Sequence, residues 1–115
     1  MKDWAAIRER YLRDPLPVRL GGLAANLARI KSFSDHPDHR EAVESLLDEC
    51  GYFIEWTAAD AEVNTAAELV ELQIQLAIWR RNWTAIWADT IQRLQIADLA
   101  HHWSRRVLEA SGLLR

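Results

Sequence analysis

Glu41, Glu44, Asp48, Tyr52 and Glu55 recur at steps of 3, 4, 4 and 3, the spacing that sets side chains along one face of a helix. Carboxylates aligned in this way hold metal ions when they point into a bundle, where Glu-x-x-His pairs on two helices complete the ligand set. The chain contains no Glu-x-x-His, and the nearest pattern is Asp98-x-x-His101. The row therefore reads as a solvated acidic face rather than a metal site. His36-x-x-His39 flanks Pro37 and reads as a pair of polar turn residues. His101 and His102 are neighbours, so on a helix they point about 100° apart and cannot both face one ion. Asp98 and His102, four apart, make a surface pair. Cys50 sits in register with Leu46, Leu47 and Phe53 and reads as a small buried hydrophobe. No serine, cysteine or histidine stands in an arrangement that would make a nucleophile and its base. No catalytic residue, metal or cofactor is expected.

Tryptophan is the other residue type with chemical reach, supplying six of the ten aromatic side chains. Trp79 and Trp83 continue a seam of leucines and belong to a core rather than to a stacked ligand. Trp56 ends the acidic helix and Trp87 stands beside the seam at a turn, so these two are interface candidates together with Glu41, Glu44, Asp48 and Glu55. Arg80 and Arg81 point away from Trp79 and Trp83 and are placed to pair with the acidic third helix.

The element that positions most of these residues is a helix with Leu69, Leu72, Leu76, Trp79, Trp83 and Ile86 at steps of 3, 4, 3, 4 and 3. The spacing predicts one continuous helix to about Trp87. Val70, Ile74, Ala77 and Ile78 form a second stripe, read as adjoining the first and giving the helix partners on several sides. It begins between Ala58 and Thr65, where Thr65-x-x-Glu68 has the form of a capping box. Before it, Asp3 caps a short helix with Trp4, Ile7 and Tyr11 on one face. Pro17 then opens a second helix that carries Leu16, Leu20, Leu23, Leu27 and Ile30 to about Phe33. Gly21 and Gly22 inside it predict a closely packed neighbour, a helix or a Trp ring. Pro37 starts a third helix that runs through Gly51 to about Thr57, with Val43, Leu46, Leu47, Cys50, Phe53 and Ile54 inward. Asp89 caps a last helix with Ile96, Leu99, Trp103, Val107 and Ala110 inward, and Gly112 stops it with Leu113 folded back on Leu108. The fold class is all-α: an antiparallel bundle of four long helices and a short N-terminal one, with residues 1–115 as a single domain.

Half of the 115 residues are apolar, enough to bury about two-thirds of the chain's surface. The single cysteine leaves no internal disulfide, and Met1-Lys2-Asp3-Trp4 lacks the apolar run of a leader. The longest uncharged stretch of the apolar helix, Leu72 to Trp79, is 8 residues, far below the ~20 of a membrane span. A cytoplasmic protein is the expectation. Charge is zoned: residues 1–34 carry a net +4, residues 35–71 a net −10, and the remainder a net +3. An acidic centre repels phosphate, so no nucleic acid is expected as a partner.

These features together predict an interaction or scaffold module, not an enzyme, whose partner is another protein or a second copy. Arg29 followed after six residues by His36 resembles the Arg-x(4-6)-His motif of HEPN-type ribonucleases, which are also small helical bundles. That resemblance implies ribonuclease activity as the alternative, with Arg29 and His36 paired in a groove. A bundle that binds an apolar small molecule beside Gly21 and Gly22 is a further alternative.

Overall fold

The computed structural model describes residues 2–114. They form six α-helices and, among the described residues, no strand: α1 Trp4–Arg13, α2 Leu16–Phe33, α3 Arg40–Thr57, α4 Val63–Arg81, α5 Trp83–Ala88 and α6 Thr90–Ser111. The all-α bundle is as the periodicity requires, with four long helices and a short N-terminal one. The difference is α5, a six-residue helix cut from the end of the expected fourth. Asn82 breaks the run with φ −106° and ψ 17°, and its amide donates to the carbonyl of Ile78 at 2.9 Å. An asparagine side chain that bonds its own preceding turn offers the backbone an alternative to continuing the helix. Trp83 and Ile86 stay buried beyond the break, so the seam continues although the helix does not.

Local chemistry sets the other ends. The Asp3 carboxylate accepts from the Ala6 amide at 3.1 Å, and Pro15 and Pro17 bracket the first residue of α2. Pro37–His39 is a single 3-10 turn and the α-helix starts only at Arg40. That turn is held by the Trp87 indole, which donates to the Pro37 carbonyl at 2.8 Å. Gly51 does not interrupt α3, as its spacing predicts. The expected cap at Thr65 is not used. Glu62 is the N-cap of α4, and Thr65 sits one turn inside with its hydroxyl donating to the Glu62 carboxylate at 3.3 Å. Asp89 caps α6 by accepting from the amides of Ile91 and Gln92. The Gln92 side-chain amide and backbone amide hold its carboxyl below the usual aspartate range. Gly112 ends α6 at φ 78°, in the left-handed region that favours glycine.

Cross-chain bonds fix the topology. Asn26 bonds Glu49 and Arg19 bonds Asp60 between α2 and the α3 end. Arg80 pairs with Asp48, and Arg40 bonds Thr84, between α3 and α4–α5. Ser104 bonds the Ala24 carbonyl and Arg93 bonds that of Ser34 between α6 and α2. In each set one sequence number rises as the other falls, so the four long helices run alternately up and down. The core is Leu23, Leu27 and Ile30 of α2, Val43, Leu47 and Cys50 of α3, Leu69, Leu72 and Leu76 of α4, with Ile96, Ala100, Trp103 and Val107 of α6. Leu99 was expected inward and is 41 % exposed. The small row Ala97, Ala100 and Ser104 faces inward in its place, and small side chains let α6 lie close to α2.

The space beside the paired glycines of α2 is filled. A Cβ on Gly21 would lie 2.7 Å from the Leu113 side chain, so Leu113 leans over Gly21. A Cβ on Gly22 would meet Tyr11 at 3.9 Å and Phe53 at 4.0 Å. The close neighbours are thus Leu113 and the Tyr11–Phe53 stack, whose ring centroids are 4.0 Å apart. The Tyr11 hydroxyl donates to the Arg19 carbonyl at 2.9 Å and can accept from the Thr57 hydroxyl at 3.0 Å, and burial pushes its pKa up to about 12. At Gly22 the distances are ordinary van der Waals contact. Gly22→Ala should therefore raise stability by about 0.5–1 kcal/mol through helix propensity, read as a higher urea midpoint. A loss would mean that Tyr11 and Phe53 have no room for a methyl.

Candidate interaction surface

α4 carries two apolar rows. Thr65, Leu69, Leu72, Leu76 and Trp79 are buried at 9 %, 1 %, 0 %, 1 % and 4 % exposure. Val63, Val70, Ile74 and Ile78 are exposed at 84 %, 53 %, 57 % and 50 %, and Ala67 and Ala77 between them are exposed as well. At about 100° per residue the mean directions of the two rows differ by about 170°. The second stripe does not adjoin the seam. It stands on the solvent side, and among the described residues no other element lies over it.

This row differs in kind from the other exposed apolar residues. Val63, Ala67, Val70, Ile74 and Ala77 repeat at steps of 4, 3, 4 and 3, the spacing of a helix that packs along a second helix. On α6, Ile91, Leu94 and Leu99 are also exposed, but Gln95 and Asp98 lie between them, and single exposed apolar residues are ordinary. Contiguous exposed apolar rows are a recurrent feature of contact surfaces. Its borders are charged and divided by sign. Glu62 is exposed at the N-terminal end, and Arg80 and Arg81 toward the C-terminal end.

Two of the four acids on the face of α3 are paired within the chain. Glu44 pairs with Arg40 at 2.9 Å and Asp48 with Arg80 at 2.8 Å, the pairing expected for Arg80. Glu41 and Glu55 remain exposed. Trp56 is half-buried in an aromatic cluster, with ring centroids 6.5 Å from Trp4, 5.9 Å from Tyr11, 5.5 Å from Tyr52 and 6.1 Å from Phe53. Trp87, an interface candidate by its place at a turn, is buried. It is 5 % exposed, stacks on Trp83 at 5.2 Å and holds the Pro37 turn, so its role in the chain is structural. The six residues expected to share a surface are thereby divided between solvent, internal ion pairs and core.

Beside α4 a cleft of about 330 Å³ is lined by Arg40, Glu44, Leu47, Asp48, Arg80, Trp83 and Thr84. Its two guanidinium groups are matched to its two carboxylates, which leaves no net charge to recognise a charged ligand. The buried Trp83 indole N–H has no hydrogen-bond partner among the described residues. No family model, curated protein or solved structure matches this chain. Function is therefore read from the surface itself.

The remaining candidates fall in separate places. Arg29 donates to Asn26 at 2.8 Å and His36 accepts from the Asp38 amide at 3.2 Å. Among the described residues no hydrogen bond or ion pair joins the two. His101 and His102 are exposed. Among the described residues, no three His, Cys, Asp or Glu side chains gather to hold a metal ion, and no helix is long and apolar enough to cross a membrane. Cys50 is fully buried, and burial raises its thiol pKa well above the ordinary range, so its sulfur remains protonated and unreactive. Sequence reasoning picked out Val70, Ile74, Ala77 and Ile78 but set them on the wrong side, and it missed Val63 and Ala67. The signal was available: the angle between Leu72 and Ile74 alone is about 200°, which no single core face spans.

Proposed function

We propose that this chain is a cytoplasmic, non-enzymatic interaction or scaffold module that docks on a partner helix through the outer row of α4. The observation that carries the reading is the exposure of Val63, Val70, Ile74 and Ile78, at half or more of each side chain, on a helix whose opposite side is almost fully buried. Leaving such a row in water costs about 25 cal/mol for each Å² of apolar surface, and covering it recovers that amount. The fitting partner is a helix with an apolar row of its own at the same 3-4 spacing, because side chains on two such rows interdigitate. An extended strand or a flat polar surface would leave alternate side chains uncovered. The buried Cys50 thiol and the lack of any matched nucleophile and base support a binding role over a chemical one.

The test is a photo-crosslinking amino acid placed at Ile74 and, as control, at exposed Gln95 on α6, in the cell from which the protein comes. Crosslinks from position 74 to a defined chain, whether a second copy or another protein, with none from position 95, are expected. Equal labelling from both positions would overturn the docking role of α4.

A further inference from the structure

We infer that the helix covering the outer row of α4 is α4 of a second copy of this chain, lying antiparallel to the first. The inference rests on the docking role proposed for this face and names its occupant.

Two observations point to a second copy. The first is the symmetry of the row about Leu72. Four of its positions fall in pairs equidistant from that residue, Val70 with Ile74 and Ala67 with Ala77; Val63 falls level with the charged Arg81, and Ile78 has no counterpart in the row. When two copies cross antiparallel with the two-fold axis at Leu72, each member of a pair meets the other member on the second chain. Alanine then faces alanine, which permits close approach of the backbones, and Val70 fills the space beside Ile74. A surface that is its own complement in this way is what a two-fold dimer requires.

The second observation is the division of charge. Glu62, the N-cap of α4, and Arg81, its last residue, are exposed at opposite ends, while Glu71 stands one residue from the centre. Two other charges of the helix are already used inside the chain, Glu68 by Arg106 at 2.6 Å and Arg80 by Asp48 at 2.8 Å. In a parallel pair, acid would lie against acid and Arg81 against Arg81. In the antiparallel pair the Arg81 guanidinium of each copy reaches the level of Glu62 on the other, and does so twice. Opposed charges at the rim set the direction of pairing even where they add little affinity.

The peptide dipoles favour the antiparallel direction for any helix laid on α4. Antiparallel apposition puts the negative end of each α4 beside the positive end of its neighbour. The 19 residues of α4 provide a contact about 28 Å long at 1.5 Å per residue, with apolar side chains along most of it.

Sedimentation equilibrium of the full chain and its variants is the test, with circular dichroism to confirm that each variant is folded. Wild type is expected to dimerise, and Ile74→Glu to sediment as a folded monomer. Arg81→Glu and Glu62→Lys, taken singly, should each weaken the dimer by about tenfold, the equivalent of about 1.4 kcal/mol. The double variant Glu62→Lys/Arg81→Glu should recover the wild-type constant, because exchanged charges still oppose one another in an antiparallel pair. In a parallel pair each position faces its own copy, like charge against like charge in every variant, so neither single variant would weaken the pair. As an independent reading, an equimolar mixture of Val70→Cys and Ile74→Cys chains should oxidise to the mixed disulfide in preference to either symmetric one. A wild-type chain that is monomeric at every concentration, or a double variant as weak as the single ones, overturns the inference. A monomeric chain whose position 74 crosslinks to a different protein in the cell overturns the second copy alone and leaves the docking role of α4 standing.

Discussion

Trp83→Ala is expected to lower stability by about 3–5 kcal/mol, the range for removing a large buried aromatic side chain from a packed core. Trp83 is 7 % exposed, stacks on Trp87 at 5.2 Å, and lies at the start of α5 just after the helix break at Asn82. Its loss opens a cavity where α5 meets the core and removes the ring that backs Trp87, the side chain that holds the Pro37 turn. Ile74→Ala provides the contrast. Ile74 is 57 % exposed on the outer row, so its truncation in the monomer should change stability by less than about 0.5 kcal/mol. Urea unfolding of both variants at a protein concentration low enough to keep the chain monomeric decides the matter. Equal losses would mean that the buried seam and the outer row are misassigned.

Arg93→Met should cost about 2–4 kcal/mol, since two buried carbonyls would lose a charged donor at once. Arg93 is 7 % exposed. Its Nε donates to the Ser34 carbonyl at 3.1 Å and its Nη1 to the Trp87 carbonyl at 3.0 Å. Ser34 caps the C-terminal end of α2 and Trp87 lies in the last turn of α5. Both ends carry the negative pole of a helix dipole, which accounts for a buried guanidinium bound to carbonyl oxygens rather than to a carboxylate. The guanidinium carbon also sits 5.4 Å from the centroid of the Trp87 ring, which adds a cation–π contact. Arg93→Lys, with one compact charge instead of a planar fork, should recover only part of the loss. A methionine variant as stable as wild type would show that these carbonyls find other donors.

The bundle was legible in the sequence because its signals are local and repeated. Leucine spacing, Asp3 and Asp89 at helix starts, Pro17 within the first turn of α2 and Gly112 at the end of α6 each act within a few residues, and the structure follows them. What was not legible depends on which helix lies close to which. Leu99 loses its inward place to Ala100 because α6 packs tightly on α2, and no property of α6 alone reveals that. Arg93 reads as a break in the apolar pattern, and only the meeting of two helix ends makes it a core residue. Trp87 reads as a surface residue from its place beside a turn, yet the carbonyl of Pro37, fifty positions away, draws it inward. The acidic row of α3 was visible as a row, but whether Glu44 and Asp48 are free depended on where Arg40 and Arg80 fall. The outer stripe of α4 was visible too, and its position opposite the core followed from helix geometry rather than from composition.

The docking claim is tested most directly by the reactivity of a thiol placed in the row. In Ile74→Cys the native Cys50 is buried and stays silent, so a maleimide reports position 74 alone; Gln95→Cys on the exposed side of α6 serves as the reference. If two copies pair through α4, labelling at position 74 slows as protein concentration rises through the dimer constant, while labelling at position 95 keeps a constant rate. A thiol at position 74 that reacts as fast as the one at position 95 at every concentration would contradict pairing through this face.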